Sequence, residues 1–213
     1  MSVLSKNAII NRIRAGDLVV SPILSDQQLN GGSSIDLRMG TVILMVRARG
    51  LSHVDPTLYR KDTPTEKLSR EIGKRQKHER HEAPYKEQFL LHPGTLALVP
   101  TLEWVKLPLN LQGVVTARSS WAREGLSIAT ATLINPGYQG IITLELANLG
   151  QIPIGLYPGL RIAQIAFYEI RDPGVLAPSK SQFQMAFEPE EGEIVAGDEK
   201  FVRLHSPSST ARS

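Results

Sequence analysis

Cysteine is absent from this chain of 213 residues. Its absence excludes disulfides, a thiol nucleophile and any metal site built on thiolates, so we expect no protein-bound zinc. A disulfide-rich secreted scaffold is also excluded, which makes a cytoplasmic location the expectation. No stretch approaches the ~18 consecutive apolar residues that a membrane-spanning helix needs. Charged side chains interrupt the start of the chain, where we expect no signal peptide: Lys6, Arg12, Arg14 and Asp17.

Aromatic residues are few, at 6% of the chain, whereas hydrophobic residues make up 41% and charged residues 21%. These proportions are ordinary for a globular domain and exclude disorder throughout. The net charge of +3 arises in one segment, since residues 56–88 carry nine Lys and Arg against six Asp and Glu. The rest of the chain holds 15 residues of each sign. We therefore expect neither nucleic acid nor a membrane as a partner.

Short apolar segments separated by Gly and Pro dominate the chain after residue 88. Their spacing of roughly 8–12 residues predicts a mainly β fold, a distorted β-barrel or jelly roll. A short N-terminal helix, capped by Ser5 and ended by Gly16, precedes them. The lack of strands alternating with helices argues against a doubly wound parallel sheet. The predicted strands cover residues 18–21, 35–46, 89–91, 95–99 (ended by Pro100), 111–117, 127–134, 140–147, 152–156 and 161–170.

The chain is predicted to form a single domain over residues 1–213. A polar insertion is predicted at about 52–88, and a flexible C-terminal tail at about 172–213. Within the insertion, acidic and basic residues four positions apart favour a solvated helix over residues 65–81.

Familiar metal and phosphate-loop motifs are missing. His78 and His81 are one residue short of the spacing in a zinc-binding His-Glu-x-x-His helix, so we interpret them as solvated side chains. The sequence also has no Gly-x-x-x-x-Gly-Lys loop and no Gly-x-Ser-x-Gly turn around a nucleophile. The sequence therefore predicts no metal ligands.

Four hydroxyl and guanidinium side chains occupy six positions between two apolar segments, in Arg118-Ser119-Ser120-Trp121-Ala122-Arg123. Two hydroxyls and backbone N–H groups flanked by two guanidiniums suit a phosphate or an oxyanion. The alternative is a capped helical turn with solvated arginines. The pattern leaves both interpretations open.

Glu145 stands in the middle of the apolar segment Ile141-Ile142-Thr143-Leu144-Glu145-Leu146-Ala147. Strand alternation places Glu145 on one face with Ile141, Thr143 and Ala147. Such a carboxylate either faces water or is buried with a partner such as Arg123. The second arrangement would suit a general base.

Two further polar side chains stand beside turns. Asn135 begins the tight turn Asn135-Pro136-Gly137, from which it could reach a ligand or simply stabilise the turn. Gln164 lies in the predicted strand that follows Pro158-Gly159. The alternative to a binding role for Gln164 is a core amide that bonds the backbone.

Five segments in chain order resemble the dCTP deaminase branch of the trimeric dUTPase-like superfamily. They are SSIDLRMG at 33–40, LHPG at 91–94, ARSSWAREGL at 117–126 (similar to RSSxxRxGL), INPGYQG followed by TLELAN at 134–148 (similar to IDPGaxG and xLExxN), and PGLRIAQ at 158–164 (similar to PGxxIxQ). Each motif alone is modest, but five in order, with the Arg-Ser-Ser and Leu-Glu blocks correctly spaced, are specific.

The resemblance implies a distorted β roll that forms a homotrimer with nucleotide pockets at the subunit interfaces. It implies hydrolytic deamination of dCTP to dUTP and ammonia without a catalytic metal in the protein. Mg²⁺ would arrive with the triphosphate, bound mainly by the triphosphate's own oxygens and water.

The resemblance also implies roles for individual residues. Glu145 would be the general base and proton shuttle, while Ser119, Arg123 and the carbonyl near Ala131 would hold the attacking water and the cytosine amine. The other implied substrate-binding residues are Arg118, Ser120 and Gln164 for the phosphates, Thr143 beside Glu145, Asn135 for the 3′-hydroxyl, and Lys180 and Gln184 for a segment that closes over the triphosphate.

Asn135 stands where most members of this superfamily carry Asp. Asn can bond a 3′-hydroxyl but cannot take a proton, which argues against release of diphosphate. Two other functions stay open: a dUTP pyrophosphatase or bifunctional deaminase/pyrophosphatase, and a non-catalytic nucleotide-binding regulatory protein.

Overall fold

The structure is a computed structural model that describes residues 2–29, 31–47, 78–128, 133–171 and 184–189. The chain divides into two compact units, one formed by residues 1–46 and 80–190 and the other by 47–79 and 191–213. In the second unit, Arg47 Nε lies 3.1 Å from Glu79 Oε2. Much of the predicted insertion and tail lies outside the described residues.

The described elements are mostly short strands. In chain order they are β1 (Ser2–Val3), α1 (Lys6–Ala15), β2 (Val19–Ser21), a 3₁₀ helix (Asp26–Leu29), β3 (Ser34–Arg38), β4 (Val42–Val46), β5 (His78–Glu82), β6 (Phe89–Leu91), β7 (Leu96–Lys106), β8 (Leu111–Ala117), α2 (Ser119–Arg123), β9 (Leu126–Ile128), β10 (Leu133–Ile134), β11 (Gln139–Asn148), β12 (Ile154–Leu156) and β13 (Arg161–Glu169).

The strands form three sheets, and the described registers are antiparallel. The first sheet has the order β1-β13-β8-β10, with β3 also paired to β13. The second has the order β5-β4-β7-β11-β9, with β2 also paired to β7, and the third is the pair β12-β6. This mainly β architecture confirms the predicted fold class.

One face of each long strand supplies the core. Alternate residues of β7 and β8 are buried, as are all the even-numbered residues of β11. Phe167 and Ile165 of β13 are fully buried, and Ile165 pairs with the buried Val115 of β8. Each fully buried side chain of this size contributes about 1.5–3 kcal/mol, so this burial dominates the stability of the sheets.

The N-terminal helix has the predicted ends. Ser5 Oγ accepts the Ala8 N–H at 3.4 Å, and Gly16, with a φ of 79°, donates its N–H to Ile13 O. A left-handed residue at this position favours glycine. Arg12 then connects the helix to β13 through Glu169 at 3.0 Å.

The prediction that Pro100 ends a strand is wrong, because β7 continues through Pro100 to Lys106. Proline donates no hydrogen bond and is tolerated where a ladder is irregular. The register between β7 and β11 shifts opposite this point, between Ile141 and Thr143. The Pro100 carbonyl accepts the Gly40 N–H at 2.8 Å.

The predicted helix over residues 65–81 is wrong at its C-terminal end, because residues 78–81 belong to β5. Residues 65–77 lie outside the described residues. β5 stands at the end of the second sheet. Charged side chains are common on edge strands, so opposite charges four apart did not distinguish a helix from this strand.

Candidate active site

The polar cluster after β8 forms a short helical turn. Arg118 precedes α2 with an extended backbone and no side-chain capping bond, and its carbonyl accepts the N–H groups of Trp121 and Ala122. Ser119, Ser120 and Arg123 lie in α2 and are exposed. The helical turn is therefore present, but no serine hydroxyl caps it. Both hydroxyls stay available to a ligand.

Arg118 belongs to an ion-paired group at the start of α2. Its Nε lies 3.4 Å from Asp36 Oδ1, and Asp36 Oδ2 lies 3.1 Å from Arg161 Nη1. The Arg161 carbonyl accepts Arg118 Nη1 at 3.4 Å and Trp121 Nε1 at 3.0 Å. The Asp36 side chain of β3 and the Arg161 carbonyl of β13 therefore hold the predicted phosphate-binding arginine.

Gln164 lies in the same sheet as this ion-paired group. Its Cα pairs with Asp36 on β3 and with Thr116 on β8. Gln164 Nε2 donates to Thr116 Oγ1 at 3.2 Å, and Ser34 Oγ donates to Gln164 Oε1 at 3.5 Å. The interpretation of Gln164 as a core amide is wrong, since the side chain is half-buried and bonds hydroxyls.

Glu145 lies on the half-buried face of β11. It shares this face with Thr143 and Ala147, while Leu144 on the opposite face is buried in the core. Ile141 was expected on the same face as Glu145, but it is 7% exposed and belongs to the core. The register shift between Ile141 and Thr143 breaks the alternation there.

β9 joins the end of α2 to the strand that carries Glu145. β9 follows α2 directly and pairs with β11, with Ile128 opposite Leu146. The Gly125 carbonyl accepts the Leu149 N–H at 2.9 Å. A Cβ on Gly125 would lie 2.8 Å from Gly150 N, so this close approach requires glycine. Arg123 and Glu145 are therefore on two elements that both contact β9.

The Asn135 turn lies at the other end of β11. Asn135 is exposed, and its carbonyl accepts the Tyr138 N–H at 3.2 Å. Gln184 Nε2 donates to the Gly137 carbonyl at 3.3 Å, and the backbone after Gln184 bonds Gln139 and Ile141. The structure therefore brings Gln184 to the Asn135 turn. Ala131 and Lys180 lie outside the described residues.

A protein-family model matches the sequence over most of the elements described above. Residues 3–170, which include α2, Glu145 and Gln164, match the family model described as dCTP deaminase-like. The chain belongs to the dCTP deaminase-like family. The match covers most of the chain and both long sheets.

The matches between this chain and individual relatives in the family cover most of each relative's length. The dUMP-forming dCTP deaminase of Dictyoglomus thermophilum is 39% identical over 172 residues, which are 80% of this chain and 82% of that protein. The dCTP deaminase of Halorubrum lacusprofundi is 38% identical over 188 residues, which are 85% of this chain and 87% of that protein.

A solved structure supports the fold. The crystal structure of 2′-deoxycytidine 5′-triphosphate deaminase from Agrobacterium tumefaciens matches with a TM-score of 0.55 at 24% identity. The match covers 78% of this chain and 47% of that chain, so this chain spans about half the length of the solved protein.

Sequence reasoning missed one buried acid of this dCTP deaminase-like chain. Glu103 on β7 is 0% exposed and accepts Gln28 Nε2 and the Arg38 N–H, both at 2.8 Å. Burial raises the pKa of Glu103 to about 7. Its parity with the buried residues Val99 and Val105 was the sequence signal that could have found it.

Metal ligands do not cluster in the described parts of this family member, where no group of three or more His, Cys, Asp or Glu could hold an ion. Across the same described residues, no helix is long and apolar enough to cross a membrane.

Proposed function

We propose that this chain is a cytoplasmic enzyme that hydrolyses dCTP to dUTP and ammonia. The observation that carries the proposal is the connection of α2 to the strand of Glu145 through β9, which brings hydroxyls, guanidiniums and a half-buried carboxylate onto adjoining elements. Two relatives that are 38–39% identical carry the name dCTP deaminase. These groups can supply the proton transfers and the hydrogen-bond donors that hydrolysis at C4 of cytosine needs.

The proposed chemistry uses one carboxylate twice. Glu145 takes a proton from water as the water oxygen attacks C4, and it then returns that proton to the departing amine, which leaves as ammonia. The second water proton ends on N3 of the uracil ring as the C4 carbonyl forms. Arg123, Ser119 and the backbone carbonyl near Ala131 hold the water and the amine, and fixed donors stabilise the tetrahedral intermediate.

The triphosphate is proposed to bind beside α2 and the C-terminal segment. It would contact Arg118, Ser120 and Gln164, with Lys180 and Gln184 closing over it. Mg²⁺ would accompany the substrate, held mainly by phosphate oxygens and water. Charge-assisted bonds from guanidinium to phosphate are the strong kind of hydrogen bond, which fits a ligand of about four negative charges.

A homotrimer with active sites at the subunit interfaces is part of the proposal. Glu145 faces Leu98 on β7, and Leu98 faces Leu44 on β4, so the carboxylate stands in an otherwise apolar row. These three side chains are only half-buried in the single chain. A second subunit covering this face would exclude water from Glu145 and complete the pocket that Thr143 also lines.

The product of the reaction depends on Asn135. An amide cannot take the proton of a water that attacks phosphate, which supports dUTP as the end product. The second candidate function is formation of dUMP and pyrophosphate, because the Dictyoglomus thermophilum relative is named dUMP-forming.

Incubation of the purified chain with Mg²⁺ and either dCTP or dUTP separates these functions. We expect dUTP and ammonia from dCTP and no change in dUTP, with products identified by chromatography. Formation of dUMP and pyrophosphate would establish the second candidate. Binding of dCTP without ammonia release, unaffected by Glu145→Gln, would identify a regulatory nucleotide-binding protein.

A further inference from the structure

Asp36 lies between two guanidinium groups at the point where α2 begins. Its two carboxylate oxygens face Arg118 at 3.4 Å and Arg161 at 3.1 Å, and its side chain is 13% exposed. A carboxylate this buried requires compensating charge. The two arginines supply it and leave one positive charge in excess, which suits an anionic ligand.

Two nitrogen atoms of Arg118 are held from one side. Nε faces Asp36, and Nη1 donates to the Arg161 carbonyl, which also accepts Trp121 Nε1. The same carbonyl therefore fixes both the guanidinium and α2. A guanidinium carries five N–H donors, so these two contacts leave donors that can bind phosphate oxygens.

Arg161 is braced in turn by the 3₁₀ helix. Its Nη1 donates to the Gln27 carbonyl at 3.1 Å, and its Nη2 donates to Gln27 Oε1 at 3.2 Å. Because Gln27 fixes both terminal nitrogens of Arg161, Arg161 holds Asp36 Oδ2 in place. The other oxygen of Asp36 is then directed at Arg118.

The backbone of β3 on either side of Leu37 is anchored to the core. Gln28 Nε2 donates to the Asp36 carbonyl at 3.2 Å and to Glu103 Oε1 at 2.8 Å, while the Arg38 N–H donates to Glu103 Oε2 at 2.8 Å. Asp36 therefore projects from a rigid element, which is what accurate positioning of a binding group requires.

We propose that Asp36 is a positioning residue that orients Arg118 toward the triphosphate of the substrate. The proposal rests on the proposed function, in which Arg118 contacts phosphate. Asp36 acts through Arg118 and touches no reacting atom. When the negative charge of Asp36 is removed, Arg118 samples other rotamers. Triphosphate binding therefore weakens, while the chemistry at C4 of bound substrate continues.

The primary test compares Asp36→Asn with wild-type protein. We expect KM for dCTP to rise about 10- to 100-fold, as for loss of a charge-assisted contact, with kcat within about threefold. Asp17→Asn is the matched control, because Asp17 pairs with Arg12 at 2.7 Å away from α2, and it should leave KM unchanged. An unchanged KM in Asp36→Asn would overturn the proposal.

A double-mutant cycle tests whether Asp36 acts through Arg118. In an Arg118→Lys background, which keeps the charge but removes the planar fork, Asp36→Asn should change KM by less than about twofold. If Asp36→Asn raises KM by the same factor in both backgrounds, its effect is on the fold in general and the positioning role is wrong.

Binding measurements separate this proposal from the proposed function. Calorimetric titration with inorganic tripolyphosphate should show the same loss of affinity in Asp36→Asn, whereas deoxycytidine affinity should be unchanged. If the wild-type protein binds tripolyphosphate but releases no ammonia from dCTP, the proposed deaminase activity is wrong. The tripolyphosphate titrations of wild type and Asp36→Asn still test the positioning role of Asp36.

If Asp36→Asn does not fold, Asp36→Glu is the second variant. It keeps the negative charge but displaces it, and it should raise KM. Wild-type KM in Asp36→Glu would then overturn the positioning role.

Discussion

Two adjacent strands carry the same three residues, Thr-Leu-Glu, and use them in opposite ways. In β7, Thr101 and Glu103 point into the core, whereas in β11 Leu144 points into the core and Glu145 lies on the half-buried face. Cross-strand register decides this, since Leu144 pairs with the buried Val99. A triplet in a strand therefore does not determine which side an acid faces.

The surroundings of the two acids differ accordingly. Glu103 is surrounded by donors, and Thr101 beside it donates to the Glu103 carbonyl and accepts the Ile142 N–H. Glu103 therefore stabilises the fold through the hydrogen bonds that it accepts from Gln28 and Arg38. Glu145 instead lies on the half-buried face of β11, opposite Leu98, which pairs in turn with Leu44. The comparison teaches that the fully buried acid stabilises the fold, and we propose that the half-buried acid performs the chemistry.

After substitution of Glu145 itself, the largest effect that sharpens this comparison is expected at Arg123, which we place beside Glu145 in the assembled site. Arg123→Gln should lower kcat about 10²- to 10³-fold, as for loss of a donor to a developing charge. Because Arg123 is exposed in α2, the unfolding midpoint should stay within experimental error. Arg14→Gln, at an exposed position of α1, is the control and should retain wild-type kcat.

Glu103→Gln should change stability and its pH dependence. The pKa of Glu103 is raised from 4.5 to about 7 in the folded chain, so its contribution to stability is fully present below pH 4.5 and is lost as pH rises through about 7. At ~1.4 kcal/mol per pKa unit, the free energy of unfolding of wild type should fall by about 3 kcal/mol relative to Glu103→Gln across this range.

Denaturant titrations at several pH values measure this difference. Glu87→Gln, at an exposed position, provides the control and should parallel wild type at every pH. Equal pH profiles for wild type and Glu103→Gln would contradict the structural role of the buried acid.

The smallest expected effect comes from adding a carboxylate, besides Glu103 and Glu145, at the turn before β11. Asn135→Asp should allow a water to be activated at phosphate, so a minor fraction of dUMP should appear beside dUTP. Asn135→Ser, which also lacks a carboxylate, should form dUTP alone. Chromatography of the nucleotides checks this, and the absence of dUMP from Asn135→Asp would exclude this role for the turn.

Periodicity predicted most of the elements because their alternation is regular. The strand at 111–117 has the predicted bounds, and α1 ends at Gly16 as its left-handed backbone requires. Pro100 was misread because proline normally ends a strand, and only the register shift on the partner strand explains its place. Long-range register of this kind leaves no local signal.

The candidate site shows the same limit. Ser119, Ser120 and Arg123 were recognisable as a dense polar cluster, and the dCTP deaminase-like family match covers them. The partners of Arg118 were not recognisable, because Asp36 and Arg161 are 125 residues apart and meet only when β3 pairs with β13. Glu103 was missed because its donors come from two other elements.

The most direct test of Glu145 as the catalytic carboxylate is ammonia release from dCTP, measured in parallel for wild type and Glu145→Gln at saturating nucleotide. We predict rapid release by wild type and a loss of about 10²- to 10⁴-fold in Glu145→Gln, with unchanged dCTP affinity by calorimetry. Wild-type rates of ammonia release from Glu145→Gln would contradict the assignment.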